Sequence, residues 1–128
     1  MVKKELILPP GTDVDKMVIA PGVKVGNFLW VSGSAGAKDG KLPGEWDIVA
    51  QSRQAMENLG RVLEAAGTSW ENVVKVNCFL TDAARDFAGW NKVFTEYFPK
   101  NPPARTTVGG DIAMSGALVE VELVVIVP

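Results

Sequence analysis

The chain has 128 residues, 47% of them hydrophobic, and a formal net charge of −2. This length suits one domain with a sizeable core, and the interspersed charges exclude a basic block that would attract nucleic acid or an anionic membrane. With no histidine and one cysteine, Cys78, the sequence excludes Ser-His-Asp and Cys-His catalysis, HExxH zinc chemistry, an internal disulfide and cysteine cages for zinc or iron–sulfur clusters.

The first third of the chain predicts three strands and a loop. Glu5–Leu8 is predicted to be a short edge strand. Val23–Val25 and Phe28–Ser32 are rich in β-forming residues, and Gly26-Asn27 between them is typical of a hairpin turn. The stretch GSAGAKDGK, Gly33–Lys41, lacks the spacing of a phosphate-binding P-loop, so it predicts a flexible loop.

The middle of the chain predicts its clearest helix, Trp46–Ala66, because apolar residues recur there at helical spacing. Asp47 is expected to cap the start of this helix and Gly67 to end it. Alternation along the next strand, Val73–Thr81, predicts one buried face: Val74, Val76, Cys78 and Leu80. Cys78 is therefore predicted to be an inert thiol in the core.

A second helix and two strands complete the predicted elements. The helix begins at Asp82 or Asp86 and ends before Pro99. Its aromatic residues stand at helical spacing and are predicted to be mostly core: Phe87, Trp90, Phe94 and Tyr97. The two strands are Arg105–Val108 and Leu118–Val127.

These elements predict an α+β sandwich in which both helices pack on one face of a mixed six-stranded sheet. The other face is partly apolar. In the last strand, it is expected to receive these residues: Leu118, Glu120, Glu122, Val124 and Ile126. We therefore expect a homo-oligomer whose subunits cover this face. The alternative is a monomer with scattered exposed apolar residues, which is common.

Two charged side chains are candidates for chemistry. Arg105 follows the stiff pair Pro102-Pro103 and precedes a strand with backbone N–H groups, so its guanidinium is a good receptor for a small carboxylate. Glu120 lies about 7 Å from Glu122 along the same face, beside apolar residues that suit a carboxyl group for general acid–base catalysis. The alternatives are a solvated surface charge for Arg105 and a solvent-facing strand for the glutamates.

Several segments resemble the Rid family, the reactive intermediate deaminases also called YjgF or RidA-like. They are VGNFLWVSG, QSRQAMENLGRVLEAAG, VVKVNCFLTD, FAGWNKVFTEYF, PPARTTV and VEVELV, which together span most of residues 23–126. The resemblance implies a chorismate-mutase-like α+β fold and a homotrimer with three sites in the clefts between subunits. It also implies hydrolysis of small enamines and imines, such as 2-aminoacrylate and 2-imino acids, to a 2-keto acid and ammonia without metal or organic cofactor.

The resemblance also assigns roles to particular residues. Arg105 matches the family arginine that grips the substrate carboxylate, and Glu120 matches the glutamate linked to the hydrolytic water. Ser32-Gly33 matches the Ser-Gly pair that lines the pocket, and Asn91 matches the asparagine of the second helix. Thr107 stands where the family often has cysteine, which preserves the backbone contact but not the thiol.

The chain departs from the family before the hairpin. It reads Ala20-Pro21-Gly22-Val23 where relatives usually have Gly-Pro-Tyr-Ser-Gln, whose tyrosine reaches the pocket. We therefore expect an altered pocket. Three alternatives stay open: a non-catalytic small-carboxylate-binding trimer, a deaminase of a larger pathway-specific enamine, and an endoribonuclease. The acidic net charge and the missing histidine argue against the endoribonuclease. The expected location is the cytoplasm, because no stretch suits a secretory h-region or a membrane span.

Overall fold

The computed structural model describes residues 2–128. It contains two helices, α1 (Ile48–Ala65) and α2 (Ala83–Tyr97), and a short 3₁₀ turn at Trp70–Asn72. The strands are β1 (Lys4–Ile7), β2 (Gly22–Val25), β3 (Phe28–Ala35), β4 (Val73–Leu80), β5 (Ala104–Gly109) and β6 (Val119–Ile126). The predicted order of elements is confirmed, although β3 extends further into the glycine-rich stretch than expected.

All six strands form one sheet in the order β1-β2-β3-β6-β4-β5. Neighbouring strands are antiparallel except β4 and β5, which run parallel. Parallel neighbours need a crossover connection, and α2 provides it. Both helices pack on the same face, so the predicted α+β architecture with a mixed six-stranded sheet is confirmed. The strand β5 is an edge of the sheet.

Aspartates fix the beginning of both helices. The Asp47 carboxylate accepts a hydrogen bond from the Ala50 backbone N–H, at 2.9 Å, so α1 begins at Ile48 and leaves the expected first residue, Trp46, outside the helix. Of the two candidate caps of α2, Asp82 takes the role and accepts a hydrogen bond from the backbone N–H of Arg85 at 3.1 Å.

The core lies between the sheet and the two helices. Alternation along β6 turns four residues into it, as predicted: Val119, Val121, Leu123 and Val125. They meet Met56 and Leu59 of α1 and Trp90 of α2, all fully buried. Each buried aliphatic side chain of this kind stabilises the fold by about 1.5–3 kcal/mol relative to exposure.

The strand β4 departs from simple alternation at its start. Val73 lies opposite Val125 of β6, whereas Lys75 lies opposite Val124, so β4 contains one extra residue, a β-bulge. The bulge turns Val73 inward, at 7% exposure, and leaves Val74 41% exposed. The prediction that Val74 belongs to the buried face was therefore wrong, whereas Cys78 is buried as expected.

The face of the sheet away from the helices is partly apolar, as predicted. Phe28 and Trp30 of β3 are 46% and 47% exposed, and Ile126 of β6 lies on the same face. Leu118, expected on this face, is buried; it precedes β6, and its backbone N–H donates to Oε1 of Gln51 at 2.8 Å. Within residues 2–128, no helix is both long enough and apolar enough to cross a membrane.

Candidate functional site

Arg105 lies on the edge strand β5 with its side chain on the helix side of the sheet. In the parallel pairing of β4 and β5, Arg105 is opposite Val76, and Thr107 is opposite Cys78. Paired residues point to the same face, and both β4 residues are buried against the helices. The register of β5 against β4 therefore sets the direction of the Arg105 side chain. The preceding Pro102-Pro103 pair leads into β5.

Three side chains of α2 hold the Arg105 guanidinium. Its Nη1 donates to Oδ1 of Asn91 at 2.8 Å. Its central carbon lies 4.4 Å from the centroid of the Phe94 ring and 5.5 Å from that of Phe87. These distances allow cation–π attraction, which orients the charge without neutralising it.

No carboxylate of residues 2–128 lies within 4.0 Å of the guanidinium nitrogens of Arg105. A guanidinium has five N–H donors, and Asn91 occupies only one of them. The remaining donors can therefore bind an anion. Phe87 is 44% exposed beside this charge, so it is the exception in an aromatic row that was predicted to be mostly core and in which Trp90 and Phe94 are buried. Its spacing to Asn91 and Phe94, four and then three residues on a helix, is the signal that places these three on one face.

Thr107 connects the same strand to the core thiol. Its hydroxyl lies 3.2 Å from the sulfur of Cys78, which also lies 3.4 Å from the backbone carbonyl oxygen of Thr106. Burial raises the pKa of the Cys78 thiol, so it stays protonated near neutral pH. An unreactive core thiol is the chemical consequence.

Glu120 lies on the opposite face of the sheet, in β6. It is paired with Ala35 of β3 and Phe79 of β4, and it alternates with the buried Val119 and Val121. Its carboxylate makes no ion pair within residues 2–128. A Cβ atom at Gly33 would lie 3.1 Å from the Glu120 carboxylate carbon, so glycine permits the close approach of β3 to this group.

Ser32 and Gly33 also line a cavity of about 400 Å³, which Glu120 itself does not line. The cavity lies between residues 9–21, the bulged end of β3 and helix α1. The hydroxyl of Ser32 donates to the carbonyl oxygen of Ala20 at 2.6 Å. This hydrogen bond connects β3 to the segment before the hairpin, residues 20–23, where the sequence differs from the Rid pattern. Ile19 also lines this cavity, as does Arg61 of α1, and no sequence pattern marked either residue.

The structure thus sorts the six predicted site residues into two groups. Arg105, Asn91 and Thr107 form one group on the helix side of the edge strand β5. Glu120 and Ser32-Gly33 form the other, and β4 separates β6 from β5. A single subunit does not bring the two charges to one face of the sheet. Nor does any part of residues 2–128 hold a group of three or more acidic, cysteine or histidine side chains that could bind a metal ion.

Comparisons with known sequences all point to one group of related proteins. The sequence model of the family described as endoribonuclease L-PSP matches residues 19–127. The Schizosaccharomyces pombe protein mmf2, mitochondrial, is 47% identical over 106 residues, which cover 80% of this chain and 82% of that protein. A RutC family protein of Pyrococcus horikoshii is 39% identical over 104 residues, covering 80% and 81%.

Solved structures of the same group of proteins superpose on this chain. The RidA protein of an Antarctic Psychrobacter bacterium is 33% identical and superposes with a TM-score of 0.84, covering 96% of this chain and 99% of that one. Yeast Mmf1 is 26% identical, with a TM-score of 0.85 and coverage of 98% and 100%. The similarity therefore extends over nearly the whole chain, and the family match includes residues 20–23 before the hairpin.

Proposed function

Because the chain belongs to the endoribonuclease L-PSP family, the family of the Rid proteins, we propose that it is a hydrolytic deaminase. Its substrates are small 2-imino acids and their enamine tautomers, such as 2-aminoacrylate, and its products are a 2-keto acid and ammonia. No cofactor is needed. The observation that carries the proposal is the Arg105 guanidinium, which Asn91 and two aromatic rings orient while its charge stays unpaired within residues 2–128.

Arg105 binds the carboxylate of the substrate in this proposal. Two parallel charge-assisted hydrogen bonds fix both the position and the plane of the carboxylate. Since β5 is an edge strand, backbone N–H groups near Thr107 face away from β4 and add donors to the same anion. The imine carbon next to the carboxylate is then held in a fixed place.

Glu120 directs water onto that carbon. Its carboxylate takes a proton from the water as the water oxygen bonds to the imine carbon, and returns it to the nitrogen. The hydroxyl of the resulting carbinolamine then loses its proton to Glu120 as the C–N bond breaks, the C=O bond forms and ammonia leaves with that proton. General acid–base catalysis of this kind contributes about 10²–10⁴-fold. Imines hydrolyse readily, so this is sufficient without histidine.

The proposal needs a second subunit, because Arg105 and Glu120 lie on opposite faces of the sheet. We propose a homotrimer in which each site combines Arg105 of one subunit with Glu120 of the next. The exposed apolar residues of the open face, Phe28 and Trp30 among them, suit burial in such an assembly.

Mixing two inactive variants tests the shared site. Arg105→Ala and Glu120→Gln subunits, unfolded and refolded together in equal amounts, are expected to regain about a quarter of wild-type activity, because about one site in four receives both native residues. Each variant refolded alone provides the control. No recovery in a mixed oligomer, identified by mass spectrometry, would place both residues in the same subunit's site or outside the mechanism.

The direct test is ammonia release from 2-iminopropanoate and 2-iminobutanoate, generated in situ by an amino-acid oxidase. Arg105→Ala is expected to lower kcat/KM at least about a hundredfold, as loss of a buried charged contact does. Arg53→Ala is the matched control, because Arg53 pairs with Glu96 on the exposed surface of the helices. Full activity of Arg105→Ala would refute the assignment.

A wild type that binds 2-keto acids tightly but turns over no imine would support the non-catalytic alternative. The family description also names an endoribonuclease. Against that activity stand the net charge of −2 and the lack of histidine. Salt-sensitive RNA cleavage that Arg105→Ala removes would support it instead.

We place the protein in the cytoplasm as part of the proposal. The fission yeast relative carries the word mitochondrial in its name, so the compartment is a property to be measured by fractionation in the source cell.

A further inference from the structure

Within residues 2–128, a second arginine makes no ion pair. The four arginines of the chain are Arg53, Arg61, Arg85 and Arg105. Arg53 pairs with Glu96, and Arg85 pairs with Asp82 and Asp86. Within residues 2–128, Arg61 and Arg105 have no carboxylate within 4.0 Å.

Arg61 stands on α1, where intrahelical partners are available in sequence. Glu57 precedes it by four residues and Glu64 follows it by three, the spacings at which helical ion pairs form. The structure gives Arg61 neither partner. Its Nη2 donates instead to the backbone carbonyl oxygen of Pro10, at 3.2 Å, on the rim of the cavity beside β3.

Arg61 is the only charged residue among those that line this cavity. The other lining groups are apolar side chains, backbone, the hydroxyls of Thr12, Ser32 and Ser34, and the amide of Asn58. One hydrogen bond to a carbonyl leaves most of the guanidinium donors unused. A concave surface with one unneutralised arginine and a few neutral polar groups is suited to an anion with an apolar stem.

The cavity is also larger than the smallest substrates require. A monocarboxylic 2-imino acid of three carbons has six non-hydrogen atoms. At about 30 Å³ for each water-sized group, it would fill less than half of the volume, which is about 400 Å³. Gly33 lines the cavity, and a Cβ atom at Gly33 would lie 3.1 Å from the Glu120 carboxylate carbon, although Glu120 itself does not line the cavity.

From these observations we infer that Arg61 determines specificity by binding a second carboxylate, and that the preferred substrates are 2-imino acids of dicarboxylic type. The inference rests on the proposed deaminase function for the imine group. Binding of the second carboxylate can be tested without turnover, because the keto acid products carry the same two carboxylates. Arg105 would bind the carboxylate next to the reacting carbon, and Arg61 the one at the far end of the side chain.

The experiment compares the affinities for 2-oxoglutarate and 2-oxobutanoate by titration calorimetry, at constant ionic strength. Wild type is expected to bind the dicarboxylate at least about tenfold more tightly, since a charge-assisted contact of this kind is worth about that factor or more. Arg61→Gln is expected to reduce the preference to less than about threefold. Arg61→Lys, which keeps the charge, is expected to retain part of it.

Arg53→Gln is the matched control, because it removes the same charge from the same helix outside the cavity, and the preference should persist. Equal affinities in wild type, or an unchanged preference in Arg61→Gln, would overturn the inference. So would a lower melting temperature of Arg61→Gln with the preference intact, which would mean that Arg61 only anchors Pro10.

Imine turnover, measured in parallel, separates this inference from the proposed function. A wild type that hydrolyses 2-iminobutanoate but shows no dicarboxylate preference overturns the inference and leaves the deaminase in place. A wild type with an Arg61-dependent preference but no turnover of either imine supports the second-carboxylate site and refutes the deaminase.

Discussion

The two ends of the candidate site are built differently. At the arginine end, a hydrogen bond from Arg105 to Asn91 and two aromatic faces hold the guanidinium of this β5 residue against helix α2. At the other end, the Glu120 carboxylate makes no ion pair within residues 2–128 and has the backbone of Gly33 as its close neighbour. One charge is oriented by side chains, and the other has no ion-pairing partner within residues 2–128.

The difference matches the two tasks that the proposed reaction requires. A carboxylate binder works best when it is already oriented, because ordering it on binding would cost free energy. A general base that passes a proton first from water and then to nitrogen must reach two atoms in turn. We therefore expect changes at the arginine end to appear mainly in KM and changes at the carboxylate end mainly in kcat.

The largest effect expected at the carboxylate end is that of Glu120→Gln. The amide keeps the size of the side chain but cannot accept the water proton, so kcat should fall about 10²–10⁴-fold while KM stays within about threefold. Glu122→Gln is the matched control, because Glu122 stands two residues along β6 on the same face. Steady-state ammonia release measures both.

If Glu120→Gln retained wild-type kcat, the water would be activated by another group, and the contrast between the two ends would fail. A large rise in KM without loss of kcat would also contradict it, because Glu120 would then bind substrate as Arg105 does. A similar loss in Glu122→Gln would mean that the charge of the whole face matters, and not one carboxylate.

The regular alternation of β6 is why the position of Glu120, on the face away from the core, could be predicted from sequence. Its period of two separates Val119 and Val121 from Glu120 without any knowledge of the fold. The same rule failed in β4, because the bulge at Val74 inserts one residue and shifts the alternation. A bulge depends on the pairing partner, Val125, and therefore on contacts that no local pattern contains.

Arg105 shows a second limit of the same kind. The sequence identifies it as an unusual arginine before a strand, but its neighbours Asn91 and Phe94 come from a different element. Which face of β5 carries its side chain depends on the register with β4. Arg61 was missed for a related reason: its spacing from Glu57 suggests an ordinary helical ion pair, and only the tertiary structure turns it toward Pro10.

Asn91 offers the smaller and finer test of the contrast. Asn91→Ala removes the hydrogen bond that orients Arg105 but keeps its charge, so KM should rise about three- to tenfold with little change in kcat. Asn91→Asp places a carboxylate 2.8 Å from the same guanidinium nitrogen and would occupy the charge that the substrate needs, so KM should rise further, by about tenfold beyond the alanine variant. Steady-state kinetics of the two variants measure KM, and their melting temperatures check folding. Together they show whether Asn91 orients Arg105 for the substrate or only contributes to packing. Equal KM values in the two variants would mean that Arg105 does not bind the substrate anion, because a neutralised guanidinium and a merely loosened one would then serve equally well.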